Sequence, residues 1–337
     1  MSVSSHDELK RWLESNNITE VECIFPDMAG SSKGKILPVN RFIKSLEDQS
    51  LKLADSVLGQ TVSGSWIYES EVIDYVEEDV IMIPDLSTIR KIPWNKEPTA
   101  QIICDLYHNS VSPSDIAPRQ ILKNMIKTLK EDNMEAIVAP ELEFYLCEQN
   151  LDPDLPLKTP VGKSGRREMS SQAFGVDAVN EFDKITDDIY DYCEILGIGV
   201  DTLVHESGPA QIEINLNHGD PLQLADQAFM FKRAVRQVAL KHGVHATFMA
   251  KPYSGQPGSS MHIHQNLIST KSKENLFSDH EGNNTDLFLN YIGGLQQYLP
   301  DAMLFFAPYV NSYRRFVIDA SAPINTHWGL ENRTVGF

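Results

Sequence analysis

The chain has 337 residues, 42% hydrophobic and 23% charged, which is ordinary for a globular protein with ample core. Its 29 basic and 47 acidic residues leave a formal net charge of −18, which argues against nucleic acid or an anionic membrane as the main partner. Cys23, Cys104, Cys147 and Cys193 form no C-x-x-C pair, the N-terminus MSVSSHDELKRW lacks an apolar signal core, and no stretch approaches the ~18 apolar residues of a membrane span, so a cytoplasmic protein with free thiols is expected.

In chain order, Ser5 and Glu8 form a capping box that predicts a short helix through about Ser15. VECIFPD (21–27) and GKILPV (34–39) read as strands joined by the glycine-containing turn MAGSSK. DVIMIPDLSTIRKIPW (79–94) predicts a short strand and a proline-punctuated exit, and NKEPTA (95–100) a domain boundary, giving units of 1–98 and 99–337. AQIICDLY (100–107) has the character of a buried strand, and 116–132 of an amphipathic helix with Pro118 near its start. EAIVAPELEFYLCE (135–148) predicts a long strand, residues 149–171 a polar loop with the basic run GKSGRR, and 179–196 and 221–242 helices. HATFMAKP (245–252) and MHIHQNL (261–267) read as strands, and 286–306 as an apolar core helix. Hairpin-connected strands outnumber a strict β-α-β rhythm, so the expected fold class is α+β.

Four patches put charge where alternation alone would not ask for it. In APELEFYL (139–146), Glu141 and Glu143 share one strand face about 7 Å apart, opposite Leu142, Phe144 and Leu146. Taken singly, that is ordinary polar-out alternation. VHESGPAQIEIN (204–215) adds Glu206 and Glu213 on either side of a tight SGPA turn. MHIH places His262 and His264 on one face, and NSYRRF with NRTVGF supplies Arg314, Arg315 and Arg333. Carboxylates ~4 Å apart repel by roughly 4 kcal/mol per pair at an effective dielectric near 20, so such a cluster either protonates or binds divalent ions. Oxygen-rich donors with one imidazole suit Mg²⁺ or Mn²⁺ better than zinc. Arginines beside metal ions are what phosphoryl transfer requires, although no Walker loop and no kinase catalytic-loop signature is present.

These pieces, in this order, resemble the glutamine synthetase family. The resemblance rests on DMAGSSKGKILP, PDLSTIRKIPW, APRQIL, APELEFYL, HESGPAQIEIN, HATFMAKP, GSSMHIH, NSYRRF and NRTVGF, from about residue 8 to the end. It implies a small N-terminal β-grasp domain and a catalytic domain whose antiparallel strands form a two-metal funnel. It also implies homo-oligomeric rings with active sites shared between neighbours, and ATP with two Mg²⁺ or Mn²⁺ ions as cofactors. By that resemblance Glu141 and His262 hold one ion, while Glu143, Glu206 and Glu213 hold the other. His264 and Asn266 lie by the nucleotide, Gly258 lines the amino-acid pocket, and Arg315 and Arg333 hold the glutamate carboxylate and the transferring phosphate.

Three departures qualify the implied activity. Ser321 stands where ammonia-using members carry a glutamate, so the nitrogen donor is expected to be an organic amine, with putrescine favoured over ammonia. Asn266 replaces the usual serine after the H-x-H pair. The printed chain ends at Phe337, and the resemblance places the third ligand of the Glu141–His262 ion beyond that point, so this polypeptide by itself is expected to be weakly active or inactive. Glutamine synthetase itself, a non-catalytic homologue and an unrelated metal-dependent hydrolase are the competing readings.

Overall fold

The computed structural model describes residues 3–67, 78–152, 154–317, 322–332 and 335–337. Two compact units emerge from the backbone, the first comprising 1–128 with the short segments 194–197 and 225–229, the second the remainder.

The first unit opens with helix α1 (His6–Ser15), whose N-cap Ser5 accepts a hydrogen bond from the Glu8 amide. The capping box is shifted by one residue, because the Glu8 carboxylate returns to Ser4, taking both its amide and its hydroxyl. Strands β1 (Glu20–Pro26) and β2 (Ser32–Pro38) form the expected antiparallel hairpin. At its middle, Gly34 has φ +151° and its α-carbon faces the Cys23 carbonyl so closely that a Cβ would come within 1.9 Å of that oxygen. Helix α2 (Val39–Asp48) and strands β3 (Lys52–Ala54), β4 (Asp79–Pro84) and β5 (Arg90–Lys91) follow.

Strand β6 (Thr99–Asn109) pairs in parallel with β1 and antiparallel with β4, so the sheet runs β2-β1-β6-β4-β3, with β5 and β7 (Ser112–Pro113) also on β6. The first unit therefore does not stop at residue 98, where the sequence suggested a boundary: a central strand of its sheet lies beyond NKEPTA. Leu9, Leu13, Phe25, Phe42, Met82 and Ile102 fill its core. On the same unit, buried Arg119 at the start of helix α3 (Pro118–Glu131) is forked onto Asp226 at 2.9–3.0 Å and reaches Asp105 and Asp85 at 2.6 Å.

The second unit is organised by strand β8 (Met134–Glu148), followed after the loop by helices α4 (Val176–Asn180) and α5 (Asp183–Leu196) and strands β9 (Val200–His205) and β10 (Gln211–Leu216). Helix α6 (Pro221–Lys241) begins at an Asp220 cap with proline in its first turn and stops at His242, before Gly243 at φ +73°. Strands β11 (Val244–Thr247) and β12 (Met261–Ser269) then pair antiparallel with different halves of one edge of β8, while β10 pairs with its other edge and β9 with β10. Leu142, Phe144, Leu146, Ile212 and Ile214 are buried on the core face, and Phe248 packs between Phe144 and Phe231 with centroids 5.3 and 6.4 Å away.

Two expectations need correction. HATFMAKP is a strand only as far as Thr247, because the backbone beyond finds partners outside the ladder: the Lys251 amide donates to Asn311 Oδ1 at 2.7 Å and the Lys251 carbonyl accepts from Asn311 Nδ2 at 2.9 Å. Helix α7 (Asp286–Phe306) forms as expected but is no core helix among the described residues, since it buries Ile292 and leaves Leu304, Phe305 and Phe306 exposed. No helix among the described residues is long and apolar enough to cross a membrane. The architecture, with its mixed sheet, its antiparallel sheet and its helices, is α+β.

Candidate active site

Period-2 alternation along β8 sends Glu141 and Glu143 to the face opposite the core, and the register does the rest. Glu213 on β10 lies directly opposite Glu143, and Asn215 opposite Glu141; on the other edge of β8, His262 lies opposite Glu141. One face of three strands thus carries a row Asn215–Glu141–His262 and, beside it, the pair Glu213–Glu143. Asn215 Nδ2 donates to Glu141 Oε1 at 3.0 Å, His262 Nδ1 stands 3.1 Å from Glu141 Oε2, and His264 Nε2 stands 2.9 Å from Glu141 Oε1. Glu143 accepts from Gln211 Nε2 at 3.0 Å and from the Ser260 hydroxyl.

The electrostatics are those of carboxylates crowded without enough positive charge. Burial, together with the Glu141, Glu143 and Glu206 carboxylates, pushes Glu213 up to about 7. Burial also raises Glu143 against the Ser260 hydrogen bond, with Glu206 adding to the rise. Donor atoms of Glu141, Glu213 and His262 all lie within 4.8 Å of one another, and the buried Asn215 Oδ1 beside them has no hydrogen-bond partner. Two carboxylates, an imidazole and a neighbouring orphan acceptor fit a hard divalent cation.

Glu213 borders both parts of the cluster: its donor atom lies within 4.8 Å of those of Glu141 and His262, and the Glu143 and Glu206 charges act on it as well. Its position opposite Glu143 and one pleat from Glu141 lets the side chain reach either carboxylate. Glu206 sits half-buried at the turn, where its carboxylate accepts from the Ser207 amide at 3.1 Å. His264, expected beside a nucleotide, turns onto Glu141. Asn266 continues the same face of β12, with its Oδ1 buried and unpartnered.

Gly258 and Arg315 are neighbours: a Cβ on Gly258 would meet Arg315 Cγ at 2.7 Å and the Ala250 carbonyl at 2.6 Å. Burial holds the Arg315 guanidinium below its usual range despite the Glu143 charge, and its Nε is buried without a partner. Arg314 is exposed, and Ser321 and Arg333 lie outside the described residues.

Residues that the motif reading passed over support this face from behind. His205 on the core side of β9 is buried, with Nε2 3.0 Å from Glu168 Oε2 and Nδ1 2.7 Å from the Glu206 carbonyl. Both ring nitrogens face acceptors, which is the pattern of an imidazolium; burial opposes that form, but Glu168 and the Glu206 carbonyl raise its pKa on balance. Glu168 also accepts from the amide of Ala210, a non-glycine residue at φ +55°. Glu168 follows the basic run of the polar loop, and nothing local marks it as an anchor. Gln211 was legible: in QIEIN it shares the face of Glu213.

One sheet face thus gathers carboxylates and imidazoles beside a half-buried arginine, a donor set that could hold a divalent cation. Residues 115–337 match the family profile "Glutamine synthetase, catalytic domain". The chain is 35% identical to gamma-glutamylputrescine synthetase PuuA of Escherichia coli (strain K12), over 97% of this chain and 70% of that protein. It is 32% identical to a glutamine synthetase of Methanocaldococcus jannaschii, over 96% and 69% of the two chains, and 29% identical to a glutamate–isopropylamine ligase of Pseudomonas sp, over 97% and 72%. Among solved structures, a novel glutamine synthase homologue superposes with TM-score 0.80 at 19% identity, covering 94% of this chain and 71% of that one. A GmaS/ADP complex superposes with TM-score 0.78 at 24% identity, covering 97% and 72%. The protein belongs to the glutamine synthetase family and is a ligase.

Proposed function

We propose that the protein joins the γ-carboxylate of glutamate to a small amine, putrescine being the favoured acceptor, at the expense of ATP. A glutamate γ-carboxylate oxygen attacks the terminal phosphorus of ATP, ADP leaves, and γ-glutamyl phosphate forms. The amine nitrogen then attacks the acyl carbon, phosphate leaves, and the amine proton passes to solvent. The observation that carries this reading is the face on which Glu141, Glu143, Glu213 and His262 converge beside Arg315 and Gly258.

In this reading Glu141 and His262 would hold one divalent ion, Mg²⁺ or Mn²⁺, and Glu143, Glu206 and Glu213 a second. Bound there, the ions would neutralise charge on the phosphates. Arg315 stabilises the transferring phosphate and orients glutamate, Gly258 leaves room for the amino acid, and His264 and Asn266 face the nucleotide. Arg333 and Ser321 keep the roles the sequence suggests, a second arginine on the phosphate and a wall of the amine site. Assembly into a homo-oligomeric ring with shared sites, an N-terminal β-grasp domain ahead of the catalytic domain, and a cytoplasmic setting complete the proposal.

Glutamine synthesis with ammonia is the second reading, supported by the similarity to the Methanocaldococcus enzyme. The test is phosphate release from ATP by the full-length protein with Mg²⁺ and glutamate, comparing putrescine, ammonia and a monoamine. Release that depends on putrescine and ignores ammonia supports the amine ligase. Ammonia preference turns the assignment to glutamine synthetase, and silence with every acceptor turns it to a non-catalytic homologue.

A further inference from the structure

Gln211 carries no charge and has no step in the chemistry above, yet its fully buried carboxamide touches three parts of the site. Oε1 accepts from the Gly208 amide at 2.8 Å. Nε2 donates to Glu143 Oε2 and to the Gly258 carbonyl, each at 3.0 Å, and lies 3.4 Å from Ser259 Oγ. The orientation is dictated by its partners: a backbone amide can only donate, whereas a carboxylate and a carbonyl can only accept. A flipped amide would set oxygen against two acceptors and bury three unsatisfied contacts.

The main chain of Gln211 closes the turn as well, donating to the Gly208 carbonyl at 3.1 Å and accepting from the Glu206 amide at 2.8 Å. Gly208 has no room for a side chain, since a Cβ would meet the Tyr145 hydroxyl at 1.9 Å and Gln211 Oε1 at 2.7 Å. The carboxamide is therefore held from one end and cannot swing freely. Its other end ties a carboxylate of the cation cluster to the loop residue that packs against Arg315. A small displacement of Glu143 is transmitted to the Gly258 carbonyl, because buried hydrogen bonds of this kind are costly to break.

We propose that Gln211 is a positioning residue that couples the cation site at Glu143 to the amino-acid pocket at Gly258, so that a divalent cation and glutamate each strengthen the other's binding. The inference rests on the reading of those two sites given under Proposed function. Thermodynamic linkage makes the effect reciprocal, and typical couplings predict roughly a five- to tenfold change in affinity. Ser260 offers a natural contrast: its hydroxyl also donates to Glu143, but it makes no side-chain bond to Gly258.

The experiment measures Mn²⁺ affinity of the full-length protein from the electron paramagnetic resonance of free Mn²⁺, with and without L-glutamate. In the unsubstituted protein, glutamate should tighten Mn²⁺ binding roughly five- to tenfold. Gln211→Ala should weaken Mn²⁺ and bring that ratio close to one. Gln211→Glu, which keeps the acceptor for Gly208 and loses the donor, should do the same if the alanine variant does not fold. Ser260→Ala should weaken Mn²⁺ and keep the ratio. A ratio unchanged in the Gln211 variants, or lost equally in Ser260→Ala, overturns the coupling role. Mn²⁺ binding that glutamate never affects overturns the inference and leaves the metal site standing, whereas no Mn²⁺ binding at all overturns the metal site and the inference together.

Discussion

Glu143 on β8 and Glu213 on β10 stand directly opposite each other across an antiparallel pair, both nearly buried. Like charges in that position destabilise a sheet, and a fold gains nothing structural from them. The proposed cation site would give the pair a use, with Glu141 and His262 in the neighbouring row of the same face.

Replacing Glu143 removes the acceptor of both Gln211 and Ser260. Glu143→Ala should weaken Mn²⁺ binding at least tenfold, about 1.4 kcal/mol, and abolish turnover of the full-length protein. Calorimetric titration with Mn²⁺ beside the phosphate-release assay checks this, and turnover surviving at saturating Mg²⁺ contradicts the metal assignment.

Glu213 allows a prediction of sign. Its folded-state pKa of about 7 exceeds the ordinary value of 4.5, so between those limits the native state binds more protons than the unfolded one. Without divalent ions, the Glu213 contribution is therefore favourable below about pH 4.5 and is lost as pH rises to about 7. Glu213→Gln should stabilise the metal-free protein at pH 8 by on the order of 2 kcal/mol, with the gain vanishing near pH 4. Urea unfolding at the two pH values reads it out, and added Mn²⁺ should stabilise the unsubstituted protein more than the variant.

Arg119 is the structural counterpart of the site, a buried cation answering Asp85, Asp105 and Asp226. Burial works against its charge, but the three aspartates outweigh that and hold it protonated. Arg119→Ala leaves Asp226 and Asp85 without their cation, while Asp105 keeps its ion pair with Lys123, and should cost about 3–5 kcal/mol, seen as a lower urea midpoint. Arg119→Lys should recover only part, because an ammonium cannot make the two-pronged contact to Asp226.

Gly258 tests the pocket. A methyl group there would press on the Arg315 side chain and the Ala250 carbonyl, and the latter cannot yield as a flexible side chain can. Gly258→Ala should raise the KM for glutamate several-fold or more and shrink the tightening of Mn²⁺ binding by glutamate, as measured by phosphate release and by Mn²⁺ titration with and without glutamate.

Much of this was written in local pattern. The period-2 run of APELEFYL predicted β8 and the shared face of Glu141 and Glu143, MHIH did the same for β12, and the Asp220–Pro221 start and Gly243 stop bounded α6, because such signals act within a few residues. The alternation could not say that β6 joins the first sheet, because pairing with β1 is a choice of partner nearly eighty residues away. Nor could it show that HATFMAKP leaves the ladder at Thr247, since Asn311 satisfies Lys251 from a distant segment. Sequence by itself thus determined which residue types line the site and the family that uses them. Which carboxylates meet, Glu213 with Glu141 and His262, and which amide ties Glu143 to Gly258 were decided by strand register and buried hydrogen bonding, which exist only once the chain has folded.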